Sequence, residues 1–171
     1  MNRFLLRESY DQFDLFNEVK QYIELIGGTL SIDDTVIEKL YSNPNLSEFI
    51  CYFWSGNKNK TIKGINLITL FYTDPNGISV PINYRLYNKE DNLSKNDYFR
   101  LMLSEVVAWG LRPSYVTGDI WYSSKENLKF LKKQEFVFLI GIAKNRQVSI
   151  KKGEYQWVES LDLEGLGQSF T

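Results

Sequence analysis

The strongest constraint on the fold is a β-hairpin pattern in the middle of the chain. Residues 63–72 read Lys-Gly-Ile-Asn-Leu-Ile-Thr-Leu-Phe-Tyr, and this run of apolar and aromatic residues predicts a central strand. Residues 74–77, Asp-Pro-Asn-Gly, predict a turn, because Pro fixes φ at the second position and Gly suits the last. Residues 78–86 predict the returning strand, and Pro81 places it at a sheet edge or at a bulge.

Helical and strand patterns surround this hairpin. Residues 10–26 and 94–110 repeat apolar side chains every three or four positions and predict helices, and a third helix is predicted over 123–131. Shorter apolar runs predict strands over 29–33, 114–118 and 136–142, the last of them buried, whereas the stretch from 34 to about 57 gives no secure pattern. We therefore expect a mixed five-stranded α/β sheet flanked by helices. The strand around residue 32 is expected beside the strand around residue 116, because that adjacency would bring Asp33 and Asp119 together.

Composition excludes several kinds of chemistry. The 171 residues contain no histidine and a single cysteine, Cys51, which rules out an internal disulfide and every metal site or catalytic triad that needs imidazole. No run of roughly 18 to 20 apolar residues is present, so we expect no membrane segment and a cytoplasmic location.

Charge is segregated although the net charge is only −1. Residues 1–50 hold four basic and nine acidic side chains, whereas residues 120–152 hold eight basic and two acidic ones. Two interpretations stay open: these are ordinary solvated faces, or a basic surface lies beside an acidic site.

Two aspartates are candidates for an acidic site because each follows a predicted buried strand. Asp33 ends the strand over 29–33, and Asp119 follows the strand over 114–118. Carboxylates at such strand ends converge in an open sheet. Oxygen ligands without histidine suit Mg²⁺ or Mn²⁺ better than Zn²⁺. The alternative is that Asp33, its neighbour Asp34 and Asp119 only form turns or cap a following helix.

Three segments resemble the DDE transposases of bacterial insertion sequences, a family with a ribonuclease-H-like fold. They are Gly-Gly-Thr-Leu-Ser-Ile-Asp-Asp-Thr-Val-Ile-Glu-Lys at 27–39, the strand at 63–72, and Val-Thr-Gly-Asp-Ile-Trp-Tyr-Ser-Ser-Lys-Glu at 116–126 with its continuation to 131. The order of elements, three antiparallel strands and then helix, strand, helix, strand, is also that of the family. The resemblance extends over roughly residues 28–162.

The resemblance implies a function as well as a fold. It maps the first metal-binding aspartate onto Asp33, with Asp34 as the alternative register, and the second onto Asp119. In the family these residues hold two Mg²⁺ ions, or Mn²⁺, together with a distant Glu, and catalyse cleavage and transfer of DNA strands. The implied partner is DNA, specifically the transposon ends in complete relatives, which also form homodimers.

The main departure from the family pattern is that no third carboxylate is identified. The Tyr, Arg, Glu, Lys signature that carries it does not occur here. The late acids lie instead in what resembles the start of an inserted β region, and they are Glu154, Glu159, Asp162 and Glu164. Whether the chain is an enzyme therefore stays open at this stage.

These features suggest a division of the chain and an alternative function. We predict an N-terminal helical segment over 1–27, a ribonuclease-H-like core over 28–152 and a truncated inserted region over 153–171. The leading interpretation is a partial transposase core that is inactive alone. The alternative is a non-catalytic ribonuclease-H-like remnant or interaction domain with at most weak, non-specific DNA binding.

Candidate DNA contacts lie in the basic part of the chain. Lys144 and Arg146 follow the last predicted strand in a loop that resembles a DNA-facing segment of the family, and Lys125 begins the preceding helix. Beside Asp119, Trp121 and Tyr122 either stack on a base or belong to the core.

Overall fold

A computed structural model describes residues 10–161 with the exception of residue 57. The helices are α1 (Gln12–Val19), α2 (Lys95–Ala108) and α3 (Lys125–Lys133). The strands are β1 (Thr29–Glu38), β2 (Cys51–Ser55), β3 (Lys60–Thr73), β4 (Ser79–Leu86), β5 (Tyr115–Gly118), β6 (Val137–Ile140), β7 (Gln147–Lys151) and β8 (Glu154–Trp157). Within this part of the chain, no helix is both long and apolar enough to cross a membrane.

The main sheet confirms the predicted mixed α/β fold. Its strands follow the order β2-β3-β1-β5-β6, and β4 also pairs with β3. Strands β1, β3 and β4 are antiparallel neighbours, whereas β5 and β6 run parallel to β1. The path β4-β3-β1-β5-β6, with α2 and α3 as the connections, is the ribonuclease-H-like order. The strand around residue 32 therefore lies beside the strand around residue 116, as predicted.

Among the described residues the sheet has six strands, so the prediction of five was wrong. The additional strand, β2, lies in the stretch between 34 and 57 that gave no secure pattern. The fourteen residues of β3 accommodate two partners on one edge, because β2 pairs with residues 60–64 and β4 with residues 67–73. A strand of five residues with exposed aromatic side chains at Tyr52 and Trp54 has little apolar periodicity by which it could be recognised.

Strand β4 confirms both features predicted from Pro81. It pairs with β3 alone, and the register shifts where Leu70 lies opposite Asn83 but Phe71 lies opposite Pro81. Ile82 is the extra residue of this bulge and is fully buried. Proline lacks a backbone N–H, so a bulge on an edge strand is a position that tolerates it.

The first helix is shorter than its periodicity predicted. It ends at Val19 rather than at residue 26, and a 3₁₀ turn follows over Lys20–Tyr22. The following segment is bonded to the backbone of Arg112, which donates its N–H to Leu25 and accepts the N–H of Gly27. These tertiary hydrogen bonds require extended backbone and end the helix early.

Strand β1 is longer, and β6 more exposed, than predicted. The structure extends β1 to Glu38, so Asp33 lies inside the strand instead of ending it. Strand β6 was expected to be buried, but the side chains of Val137 and Leu139 are exposed. Strand β6 pairs with β5 on one side only, and α3 covers the other face of this edge.

One face of the sheet packs against α2 and forms the core. The α2 residues Phe99, Met102, Leu103 and Val106 are fully buried in one cluster with alternate residues of β1 and β3. Helix α2 begins with the predicted cap at Ser94, whose side chain accepts the N–H of Asp97. The even-numbered residues of β1 point into this core, and the site described below continues their row.

Candidate functional site

The three candidate aspartates lie where β1 and β5 separate. The parallel pairing of these strands ends with Ile32 opposite Gly118, and a hydrogen bond of 2.8 Å joins the hydroxyl groups of Ser31 and Thr117 just before that point. Asp33 and Asp34 continue β1, and Asp119 continues the chain beyond β5. The sheet topology therefore produces the juxtaposition that the sequence predicts.

Asp33 and Asp34 occupy opposite faces of β1 because side chains alternate along a strand. Asp33 is exposed, and its carboxylate accepts the N–H of Asp34 at 2.8 Å. Asp34 follows buried Leu30 and Ile32 in the row that faces the core and α2. Asp33 and Asp34, the two possible metal ligands on β1, therefore lie in different environments.

Asp34 is held by three side chains. Its Oδ2 accepts hydrogen bonds from the Lys95 Nζ at 2.6 Å and from the Asn66 amide at 2.7 Å. Its Oδ1 accepts the hydroxyl of Tyr122 at 3.3 Å. The Lys95 and Asp34 side chains are each only 17% exposed, so their ion pair is shielded from most of the solvent. These contacts give Asp34 a defined orientation.

Asp119 is exposed but lies close to the other two carboxylates. Its Oδ1 accepts the backbone N–H of Trp121 at 2.9 Å and caps the 3₁₀ turn over Ile120–Tyr122. Loss of water around the carboxylate raises the pKa of Asp119, and the negative charges of Asp33 and Asp34 raise it further, while the Trp121 N–H acts in the opposite direction. Asp119 is therefore influenced by the charges of two neighbouring carboxylates.

Substitution Asp119→Asn is expected to stabilise the protein at neutral pH. The raised pKa means that folding disfavours the charged carboxylate, and Asn keeps the cap on Trp121 while removing that charge. The gain should be about 0.5 kcal/mol, because solvent screens an exposed group. Urea unfolding measures it, and the gain should disappear as the pH falls below the ordinary Asp pKa of about 3.9. A less stable variant at neutral pH would contradict this expectation.

Asn66 and Lys95 were not recognised from the sequence. Asn66 is fully buried beside Asp34, and its amide oxygen has no hydrogen-bond partner among the described residues. The available signal was a lone amide inside the apolar strand over 63–72. Lys95 begins α2, where the positive end of the helix dipole disfavours a cation. That unfavourable placement was the signal for Lys95.

A cavity of about 800 Å³ opens over the three aspartates. It is bordered by β1, β2 and the start of α2, and other side chains in its wall are Tyr87, Lys89, Lys95 and Trp121. Tyr122 belongs to the core with no exposed surface, whereas Trp121 is 61% exposed. The two aromatic residues beside Asp119 thus have different roles, and Trp121 is available to a ligand.

The described residues contain no group of three His, Cys, Asp or Glu side chains arranged to hold a metal ion. Glu154 lies in β8 and Glu159 in the 3₁₀ turn over Val158–Ser160, while Asp162 and Glu164 fall outside the described residues. The carboxylates of the three aspartates offer oxygen ligands, which fits Mg²⁺ or Mn²⁺ that keeps several waters, although the Lys95 ammonium occupies Oδ2 of Asp34. The donor set is thus suited to a weakly held hard cation.

The predicted DNA contacts are exposed side chains outside this cavity. Lys125 begins α3, and Lys144 and Arg146 lie in the loop between β6 and β7. The carbonyl groups of Lys144 and Arg146 accept the backbone N–H groups of Glu159 and Val158, which fixes the loop. Strands β7 and β8 form a separate hairpin, and the domain boundary predicted after residue 152 falls in its turn.

The similarity of this chain to known proteins lies in their solved structures. No protein-family model and no curated protein matches the chain. A piggyBac transposase synaptic complex with hairpin DNA is similar over 84% of this chain and 30% of that chain, at 21% identity and a TM-score of 0.47. A simian T-cell lymphotropic virus intasome in complex with a PP2A regulatory subunit is similar over 72% and 35%, at 16% identity and a TM-score of 0.38. The Drosophila P element transposase strand transfer complex is similar over 75% and 23%, at 10% identity and a TM-score of 0.30. The chain spans about a third or less of each.

Proposed function

We propose that this chain is the core of a DDE-type transposase of the bacterial insertion-sequence kind, with a site that binds divalent metal and DNA. The observation that carries the proposal is the end of the β1 and β5 pairing at Ile32 and Gly118, because it brings Asp119 close to Asp34 and Asp33. The ribonuclease-H-like strand order and the three sequence segments described above support it.

The sequence prediction took Asp33 and Asp119 as the metal ligands, with Asp34 as the alternative register. Within this proposal we favour that alternative, Asp34 with Asp119, and Asp33 becomes the other possibility. Asp34 is partly buried and oriented by Asn66 and Tyr122, as a metal ligand must be. Asp33 is exposed, and only its bond to the N–H of Asp34 orients it. A carboxylate whose orientation is fixed by neighbouring side chains is better prepared to bind a cation than an exposed carboxylate with a single local hydrogen bond.

A bound Mg²⁺ or Mn²⁺ would polarise a phosphodiester and activate water or a 3′-hydroxyl group. The protein contributes the orientation of the ligands. Asn66 and Tyr122 hold Asp34, and the N–H of Trp121 holds Asp119. Two carboxylates leave most coordination positions to water, so weak binding is expected.

The proposed partner is DNA, recognised through its phosphates. Lys125, Lys144 and Arg146 are exposed cations of the basic region, and no base-reading module is evident in the sequence. Binding of this type is non-specific and weakens steeply with salt. Transposon ends as substrate, homodimer formation and a cytoplasmic location complete the proposal.

A second candidate function is a non-catalytic remnant that binds DNA weakly. The observation in its favour is that neither Glu154 nor Glu159 joins the aspartates within the described part of the chain. The two candidates differ in what they predict for metal: a remnant retains the fold without a requirement for Asp34 and Asp119 to bind a cation.

The test is titration with Mn²⁺, followed by the electron paramagnetic resonance signal of the free ion. The chain is compared with three variants of equal charge, Asp34→Asn, Asp33→Asn and Asp119→Asn. Loss of a ligand should weaken Mn²⁺ binding by about tenfold or more, because each lost charged ligand removes at least roughly 1.4 kcal/mol. Asp33→Asn is the matched control, since it removes the adjacent charge on the other face of β1.

Three outcomes are informative. Weakening in Asp34→Asn and Asp119→Asn but little change in Asp33→Asn supports the proposed ligands. Weakening in Asp33→Asn instead selects the alternative register. Equal Mn²⁺ binding in all four proteins rejects the metal site and favours the non-catalytic remnant.

A further inference from the structure

Lys95 forms the closest contact of any cation with the proposed metal ligands among the described residues. Its Nζ lies 2.6 Å from Oδ2 of Asp34, and the same oxygen accepts the amide of Asn66. Oδ2 of Asp34 therefore accepts two hydrogen bonds in the structure. A metal ion that binds Oδ2 must therefore displace the ammonium group.

Helix stability does not explain the position of Lys95. It is the first residue of α2, after the cap Ser94, and a positive charge there opposes the helix dipole. The capping box of Ser94 and Asp97 forms without Lys95. The contact with Asp34 is what favours a lysine at this position.

Two aromatic rings of the cavity wall lie next to the Lys95 ammonium. Its Nζ lies 5.8 Å from the ring centre of Tyr87 and 5.6 Å from that of Trp121, and both rings border the cavity. The neighbouring Lys89 differs, because it donates to the Tyr52 carbonyl and faces the ring of Phe53 at 4.8 Å. Lys95 is thus the lysine of this wall that neutralises a proposed metal ligand.

We propose that Lys95 is a positioning residue that exchanges with the metal ion. Without metal its ammonium neutralises Asp34 and holds the carboxylate in place. A divalent cation held by Asp34 would take the place of this ammonium, and Lys95, beside Tyr87 and Trp121, would then be available to bind a DNA phosphate. This inference rests on the proposed function, and it adds a coupling between metal binding and DNA binding.

The test measures Mn²⁺ affinity without DNA in the intact chain and in Lys95→Met. Removal of the competing cation should tighten Mn²⁺ binding by about five- to tenfold, because the ion pair with Asp34 no longer has to break before the metal binds. Lys95→Arg, which keeps the charge, should bind like the unmodified chain. Lys89→Met is the matched control and should also leave the affinity unchanged. Thermal unfolding shows that each variant is folded.

A second measurement follows DNA binding by fluorescence anisotropy with a labelled duplex, with and without Mn²⁺. In the unmodified chain Mn²⁺ should strengthen DNA binding, and in Lys95→Met that gain should shrink by severalfold because the released cation is missing. A purely structural role for Lys95 would not tighten Mn²⁺ binding or reduce this coupling.

The outcomes separate this inference from the proposed function. Binding of Mn²⁺ that depends on Asp34 but is unchanged or weaker in Lys95→Met overturns the exchange and leaves the metal site standing. Failure of both the unmodified chain and Lys95→Met to bind Mn²⁺ overturns both. Binding that is detectable only in Lys95→Met supports the exchange directly.

Discussion

Supercoiled plasmid incubated with this chain and Mn²⁺ is expected to be nicked at least about a thousandfold more slowly than by a two-metal nuclease with three carboxylates. Asp33 lies near Asp34 and Asp119, but the described residues contain no group of three acidic side chains arranged to hold a metal ion. Each 1.36 kcal/mol of lost transition-state stabilisation costs about tenfold in rate, and loss of an ion-positioning ligand costs several kcal/mol.

The control for this assay is the double variant Asp34→Asn, Asp119→Asn at matched purity. We expect the double variant and the unmodified chain to nick plasmid at the same rate within about twofold. Both rates would then be background activity from a trace contaminant. Mn²⁺-dependent nicking that disappears in the double variant would contradict the prediction. It would show that another acid, such as Glu154 or Glu159, completes the site in solution.

Much of the topology was predictable because local signals agreed with one another. The hairpin over 63–86 combines an apolar strand, a turn with proline and glycine in suitable positions, and a return strand marked by Pro81. Strand β2 was not predictable, since its position depends on the length of β3 and not on its own pattern. The early end of α1 likewise depends on hydrogen bonds to Arg112, which is distant in sequence.

The candidate site, like the fold, was predictable from the sequence only in part. Asp33, Asp34 and Asp119 were identified from the strands that precede them, and the alternation of Leu30, Ile32 and Asp34 already contained the information that Asp34 shares the core face. Because the predicted strand ended at Asp33, the prediction did not assign Asp34 to the core face of β1.

Lys95 lies 61 residues from Asp34 along the chain, and only the packing of α2 on the sheet brings the two together. The lysine at the start of α2 signals that it needs an acidic partner, but no local pattern identifies Asp34 as that partner. Asn66 came closer to prediction, because a buried amide in an apolar strand requires a polar neighbour.

Truncation of the core residue Phe99 to alanine is expected to destabilise the protein by about 3 to 5 kcal/mol. Phe99 has no exposed surface, and its ring centre lies 5.7 Å from that of Tyr122. The substitution leaves a cavity between α2 and the sheet, and the interior cannot collapse fully to fill it. Since the free energy of unfolding of a domain is only about 5 to 15 kcal/mol, Phe99→Ala should shift the urea midpoint strongly.

Leu101→Ala is the matched control because it lies on the same helix with 43% of its surface exposed. It should cost less than about 1 kcal/mol, since alanine favours helix and little apolar area is lost. Equal losses from the two variants would contradict the packing of α2 on the sheet. The consequence extends to the site, because Tyr122 packs on Phe99 and also donates to Asp34. Phe99→Ala should therefore weaken Mn²⁺ binding under conditions where the variant is still folded, and Leu101→Ala should not.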